Sequence, residues 1–203
     1  MKFDHSYQQY PQKFYKFVPT RKTLEFTSIN IEGPKVITPK VFGDSRGYFF
    51  ESYNDGDFKS AGLDLDFVQD NQSMSHKGVL RGLHFQKPPF DQGKLVRVIA
   101  SAVQDVIVDI RKDSPTYGSA FDIELSGENN LMFWIPPGFA HGFCTLQDNT
   151  IFSYKCTNLY HPSSEDGIPY NDPSLNISWA LDEVQLSDKD LLFKPFKEFT
   201  SPF

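Results

Sequence analysis

The feature that most constrains this chain is a long succession of short β-type runs. From residue 29 onward "INIEG", "VITPKVF", "GYFFESY", "LDFVQDN", "VLRGLHFQ" and "KLVRVIASAVQDVIVDI" follow one another, then "SAFDIEL", "LMFWIP", "HGFCTLQ" and "TIFSYKCT". Turn signals such as Gly-Asp, Pro-Pro and Asp-Ser-Pro separate them at short, fairly even spacing. Helical periodicity is confined to "DGDFKSAG" and, near the end, "DEVQLSDKDLL". Many short strands with few helices predict an all-β antiparallel sandwich or closed barrel, jelly rolls included. Such a barrel can hold a small ligand among its inward-facing side chains.

A length of 203 residues predicts one domain. It is assigned to residues 26–203, behind an N-terminal extension over residues 1–25 that is polar and aromatic without a clean period. A formal charge of -6 leaves no basic face for nucleic acid or an anionic membrane. A phosphate ligand must therefore be gripped by a local cluster of Arg and Lys. Cys144 and Cys156, both in apolar surroundings, form no disulfide framework, which suits a reducing cytoplasm. The N-terminus lacks the apolar core of a secretory signal, and Arg97, Asp105 and Asp109 interrupt the one stretch that approaches a membrane span. A soluble cytoplasmic protein is expected.

His84, in "VLRGLHFQ", is one of five histidines. By its surroundings it is a packed core histidine, half of a metal site, or a base. Strand alternation puts Leu80, Gly82, His84 and Gln86 on one face and Arg81, Leu83 and Phe85 on the other. For Arg81 to share a cavity with His84 the strand needs a bulge, and Gly82 is where one fits. A metal site needs a ligand pair at strand spacing, but position 82 is Gly and position 86 is Gln. His141 remains as a partner across the barrel, with no local carboxylate to support it, so no metal is expected.

Charged and amide residues interrupt the apolar runs: Arg46, Glu51, Gln69, Asn71 and Lys94. Singly they read as solvated edge positions; together they suit an anionic ligand. Tyr154 and Tyr160 read either as core tyrosines or as one proton donor and one stacking surface.

Taken in order, "VFGDSRGYFFESYN", "FVQDNQSMSHKGVLRGLHFQ", "QGKLVRV", "VDIRKDSPTYG", "WIPPGFAHGF", "YKCTNLYHPSSEDGI", "YNDPSLNISW" and "LSDKD" resemble the RmlC family, the dTDP-4-dehydrorhamnose 3,5-epimerases. The resemblance spans residues 30–192. It implies a cupin-type jelly roll with short peripheral helices, a homodimer, no metal and no cofactor. The implied partner is a dTDP-linked 4-keto-6-deoxy sugar, inverted at C3 and C5. The resemblance makes His84 the base, Asp190 the carboxylate holding its imidazole, Tyr154 the acid and Lys94 the cation at the enolate oxygen. Tyr160 would stack on thymine. Arg46, Glu51, Gln69, Asp70, Asn71, Arg81, His141, Glu165 and Lys189 align with positions surrounding the sugar nucleotide.

Departures from the family pattern are Leu159 in place of a second tyrosine, Ala180 in place of proline, Gln72, Met74 and the N-terminal extension. None removes the acid or the base. The alternatives are an epimerase of one carbon only, or a non-catalytic sugar-nucleotide-binding cupin.

Overall fold

The computed structural model describes residues 22–203. Residues 1–21 of the N-terminal extension lie outside the described residues. Leu24 and Glu25, read from sequence as the end of that extension, instead open the first strand.

Among the described residues thirteen strands run β1 (Leu24–Ser28), β2 (Lys35–Pro39), β3 (Phe42–Asp44), β4 (Gly47–Phe49), β5 (Gln69–Ser75), β6 (Leu80–Gln86) and β7 (Lys94–Ala100). They continue as β8 (Ala102–Asp109), β9 (Ala120–Ser126), β10 (Met132–Ile135), β11 (Phe139–Thr145), β12 (Thr150–Cys156) and β13 (Glu165–Gly167). Two sheets face one another, in strand order β1-β2-β10-β7-β12-β5 and β13-β6-β11-β8-β9, and β3–β4 is a separate hairpin. This is the jelly roll expected. The one α-helix among the described residues, α1 (Asp55–Ser60), starts where the Asn54 side chain accepts from the Asp57 amide, with Asp55 and Asp57 in its first turn.

The period of two sorts side chains into layers. Val96, Val98, Val103, Ile107, Phe133, Phe139, Phe143 and Phe152 fill the space between the sheets. Leu83, Phe85, Val106, Val108 and Ala140 point out of the five-stranded sheet and are covered by Ile168, Leu175, Trp179, Phe196, Phe199 and Phe203. Leu95, Met132 and Trp134 point out of the six-stranded sheet, under Phe58 of α1.

Two sequence expectations are corrected. "INIEG" forms no strand. "DEVQLSDKDLL" is not a helix apart from one 3-10 turn, Asp190–Leu192. Gln185 donates its amide to the Gly78 carbonyl and accepts from the Leu80 amide, so the segment runs extended along the start of β6. Backbone pairing with a strand outweighs a weak local helical pattern.

Candidate active site

The anticipated bulge is present in β6. His84 faces His141 and Arg81 faces Phe143, so Gly82 and Leu83 together oppose Gly142 alone. Gly82 adopts φ +133°, and a Cβ there would lie 2.4 Å from the Gly142 Cα. The extra residue turns Arg81 inward beside His84. The two histidines are therefore neighbours on one sheet, not partners across the barrel.

A cavity of about 630 Å³ opens between the sheets, lined among others by Asn71, Arg81, His84, Lys94, His141, Tyr154, Lys189 and Asp190. A lobe of about 240 Å³ shares Asn71, His84, Lys94 and Tyr154 with it and adds Gln69, Tyr160 and Glu165. Arg46, Glu51 and Asp70 are not brought to the cavity. Asp70 points out of β5 to pair with Lys155 at 3.0 Å. Arg46 sits at the tip of the β3–β4 hairpin and pairs with Asp44. Glu51 accepts from the Thr23 hydroxyl and, at 3.0 Å, from the Asn54 amide. Phe50, beside them, lies under Arg97 on the outer face of the six-stranded sheet, 5.7 Å from guanidinium to ring.

His84 Nε2 lies 2.5 Å from Asp190 Oδ1, across 106 residues of chain. An ionised carboxylate only accepts, so it takes Nε2–H and leaves the lone pair on Nδ1. Burial opposes the Asp190 charge, but the bonds from His84 and Ser187 and the adjacent charges hold its carboxyl below the usual range. Tyr154 reaches the same cavity from β12 in the opposite sheet. Burial pushes its phenol up, so it keeps its proton at neutral pH. Lys94, on β7 beside Tyr154, is half-buried; desolvation disfavours its charge, while Cys156, Asp105 and Glu165 favour it.

In the lobe, the Tyr160 hydroxyl donates to Glu165 Oε2 at 2.6 Å, and Lys189 Nζ reaches the same oxygen at 2.5 Å. Burial opposes the Glu165 charge and these two bonds outweigh it. Tyr160 lies beyond the end of β12 at Cys156, and its amide is held by Gln69 Oε1 at 2.8 Å. Gln86, which alternation puts on the face of His84, lines the lobe but uses its amide on loops. It donates to the Phe90 and Leu159 carbonyls and accepts from the His161 amide.

One site residue escaped the sequence reading. His141 Nε2 meets Asp105 Oδ2 at 2.9 Å, deep in the barrel. His141 thus has a carboxylate of its own, contrary to expectation, while His84 has the Asp190 that the resemblance implied. The signal was a lone acid inside an apolar run, because a charge in a buried strand requires a partner. Among the described residues no group of three or more His, Cys, Asp or Glu side chains is gathered as a metal site, and no helix is long and apolar enough to cross a membrane.

A jelly roll that opposes an imidazole on one wall to a phenol on the other defines a class: cupin-type barrels whose cavity is suited to acid–base chemistry. Comparison with known proteins narrows it. Residues 28–198 match the family model described as dTDP-4-dehydrorhamnose 3,5-epimerase, and the chain belongs to that family of isomerases. The dTDP-4-dehydrorhamnose 3,5-epimerase of Methanothermobacter thermautotrophicus is 51% identical over 178 residues, 86% of this chain and 96% of the relative. That of Shigella flexneri is 53% identical over 166 residues, 80% and 92% of the two chains. The crystal structure of dTDP-6-deoxy-D-glucose-3,5-epimerase from Legionella pneumophila, in complex with dTDP-4-keto-L-rhamnose, superimposes with a TM-score of 0.84 at 49% identity. It covers 87% of this chain and 95% of that one.

Proposed function

We propose that this protein converts dTDP-4-dehydro-6-deoxy-D-glucose to dTDP-4-dehydro-L-rhamnose, removing and returning protons at C3 and C5 beside the C4 ketone. One observation carries the reading: the base and the proton donor stand on opposite sheets of one cavity. Inversion needs a proton taken from one face of a carbon and returned to the other. His84 Nδ1 takes the proton, with Asp190 stabilising the imidazolium that forms. The Lys94 ammonium meets the oxygen that becomes an enolate, where a preorganised charge is worth most. Tyr154 then gives its phenolic proton to the carbon from the far wall. Arg81 and Lys189 are the cavity's cations for the diphosphate, and the exposed Tyr160 ring offers a stacking face for thymine.

The reading includes a homodimer. Arg46 and Glu51 lie on the outer side of the six-stranded sheet, where Phe42, Tyr48, Phe49, Val68 and Met74 are exposed. There they can serve the cavity of a second copy. Mixing Arg46→Ala with His84→Ala protein then restores one complete site per mixed dimer, about a quarter of wild-type activity for random pairing. No recovery refutes the sharing of sites.

The activity is tested by proton exchange. In D2O with dTDP-4-keto-6-deoxyglucose, NMR should show deuterium entering at both C3 and C5, and none with His84→Ala. Exchange at one carbon means a mono-epimerase; none, with tight dTDP binding, means a binding protein.

A further inference from the structure

Asp105 stands in the middle of β8, every residue of which is buried. Its inner-row neighbours are Val103 and Ile107, and its own exposure is 0%. Only Oδ2 is hydrogen-bonded, to His141. Oδ1 is the one buried side-chain nitrogen or oxygen among the described residues without a partner. For stability alone this is a poor choice, since an apolar side chain in such a row costs less than a carboxylate. The group that its negative charge serves must be close by and cationic.

His141 and Lys94 are the charged groups that bear on Asp105, and the other titratable groups around that pair are already accounted for. Cys156 and Tyr154, from β12, are kept protonated by burial and carry no charge. Glu165, from β13, is already held by Lys189 and Tyr160. His84, from β6, has Asp190. What remains is Lys94 on β7, whose ammonium forms no ion pair or hydrogen bond with another described residue, and His141 on β11. Burial disfavours a charged His141, Asp105 favours it, and nearby Lys94 and His84 oppose it again. Burial pushes the Asp105 carboxyl up, and His141 and Lys94 pull it back towards its charged form; with Asp105 ionised, the set of Lys94, Asp105 and His141 is neutral when it holds one proton between its two bases.

We propose that Asp105 is the positioning residue of this site: its charge holds that proton on Lys94, and its Oδ2 fixes His141 as a neutral imidazole with Nδ1 free. The inference rests on the reading of Lys94 as the cation that meets the enolate oxygen. Asp105 touches no substrate in this scheme. It decides whether the ketone meets an ammonium or an amine, and it keeps a second imidazolium away from His84 while His84 carries the abstracted proton.

The test is the pH profile of deuterium incorporation by Asp105→Asn, an isosteric change that removes the charge. Without it Lys94 loses its proton at lower pH. The alkaline limb should therefore move down by about one to two pH units, the scale of one nearby charge in a protein interior. The deficit against wild type should be large at pH 8 and shrink towards pH 6, with dTDP affinity unchanged. A deficit constant across that range overturns the proposal and makes Asp105 a packing residue. A second measurement does not depend on that variant folding. In Lys94→Met the proton has only His141 to go to, so NMR titration should find the His141 pKa raised by at least about one unit over wild type. An unmoved His141 also overturns the proposal. Wild-type protein that exchanges no deuterium refutes the epimerase reading, and this one with it.

Discussion

Replacing Gly82 by alanine tests whether the β6 bulge is what turns Arg81 and His84 into one cavity. Two costs are separable. The backbone sits at φ +133°, which an L side chain rarely adopts, at about 1–3 kcal/mol. The added methyl would lie 2.4 Å from the Gly142 Cα and 2.9 Å from the His141 carbonyl oxygen. Both are backbone atoms, so β6 and β11 must part, and overpacking of this kind adds about 1–3 kcal/mol. Together about 2–6 kcal/mol, at about 2–4 °C per kcal/mol for a chain of this size, lowers Tm by roughly 4–24 °C. Gly47 is the control: its φ is +130° and nothing lies within 4 Å of a Cβ there, so Gly47→Ala bears the first cost alone. The assay pairs calorimetry with deuterium exchange at a temperature where both variants are folded. Gly82→Ala should melt below Gly47→Ala and lose about 100-fold in turnover, the scale of a 1 Å misplacement of reacting groups. A Tm for Gly82→Ala no lower than that of Gly47→Ala refutes the steric reasoning.

Tyr154→Phe should keep dTDP binding and lose about two to four orders of magnitude in turnover, as for a positioned acid; equal loss of binding and rate would mark a packing role instead. Gln86→Ala removes three hydrogen bonds that pin the loops before β7 and after β12. It should cost about 1–3 kcal/mol and raise KM as Tyr160 loses its placement, with faster amide exchange over residues 157–161. Asp109, fully buried, accepts from Arg111, Ser114 and Thr116. Burial opposes its charge, yet these bonds hold its carboxyl below the usual range. A depressed folded pKa contributes stability that is complete above the unfolded value of about 4 and is lost as pH falls through the folded value. Asp109→Asn should therefore lose about 3 kcal/mol at pH 7, at the low end for breaking a buried pair, and show a shallower fall of Tm between pH 5 and 2. A parallel shift at every pH would contradict it.

The strands were legible because a period of two and turn chemistry are local properties. "VLRGLHFQ", "LMFWIP" and "TIFSYKCT" each became a strand, and even the bulge at Gly82 followed from asking how Arg81 could share a face with His84. Where backbone partners lay far away, local pattern misled: "DEVQLSDKDLL" looked helical because nothing in it reveals that Gly78 and Leu80 pair with Gln185. The same limit applied to Gln86, whose alternation was right and whose partners were loops.

By itself the sequence determined which residue types were at hand and which face of each strand they took, since both follow from covalent order and pleat. Its ordered motifs pointed to the family as well. The resemblance also implied Asp190 on His84; only the tertiary structure decided the rest: Asp105 on His141, Tyr154 on the wall opposite His84, and Arg46 on the outside. Those are set by how two sheets close on one another and by the demand that every buried charge find a counterpart. Neither constraint acts between neighbours in the chain.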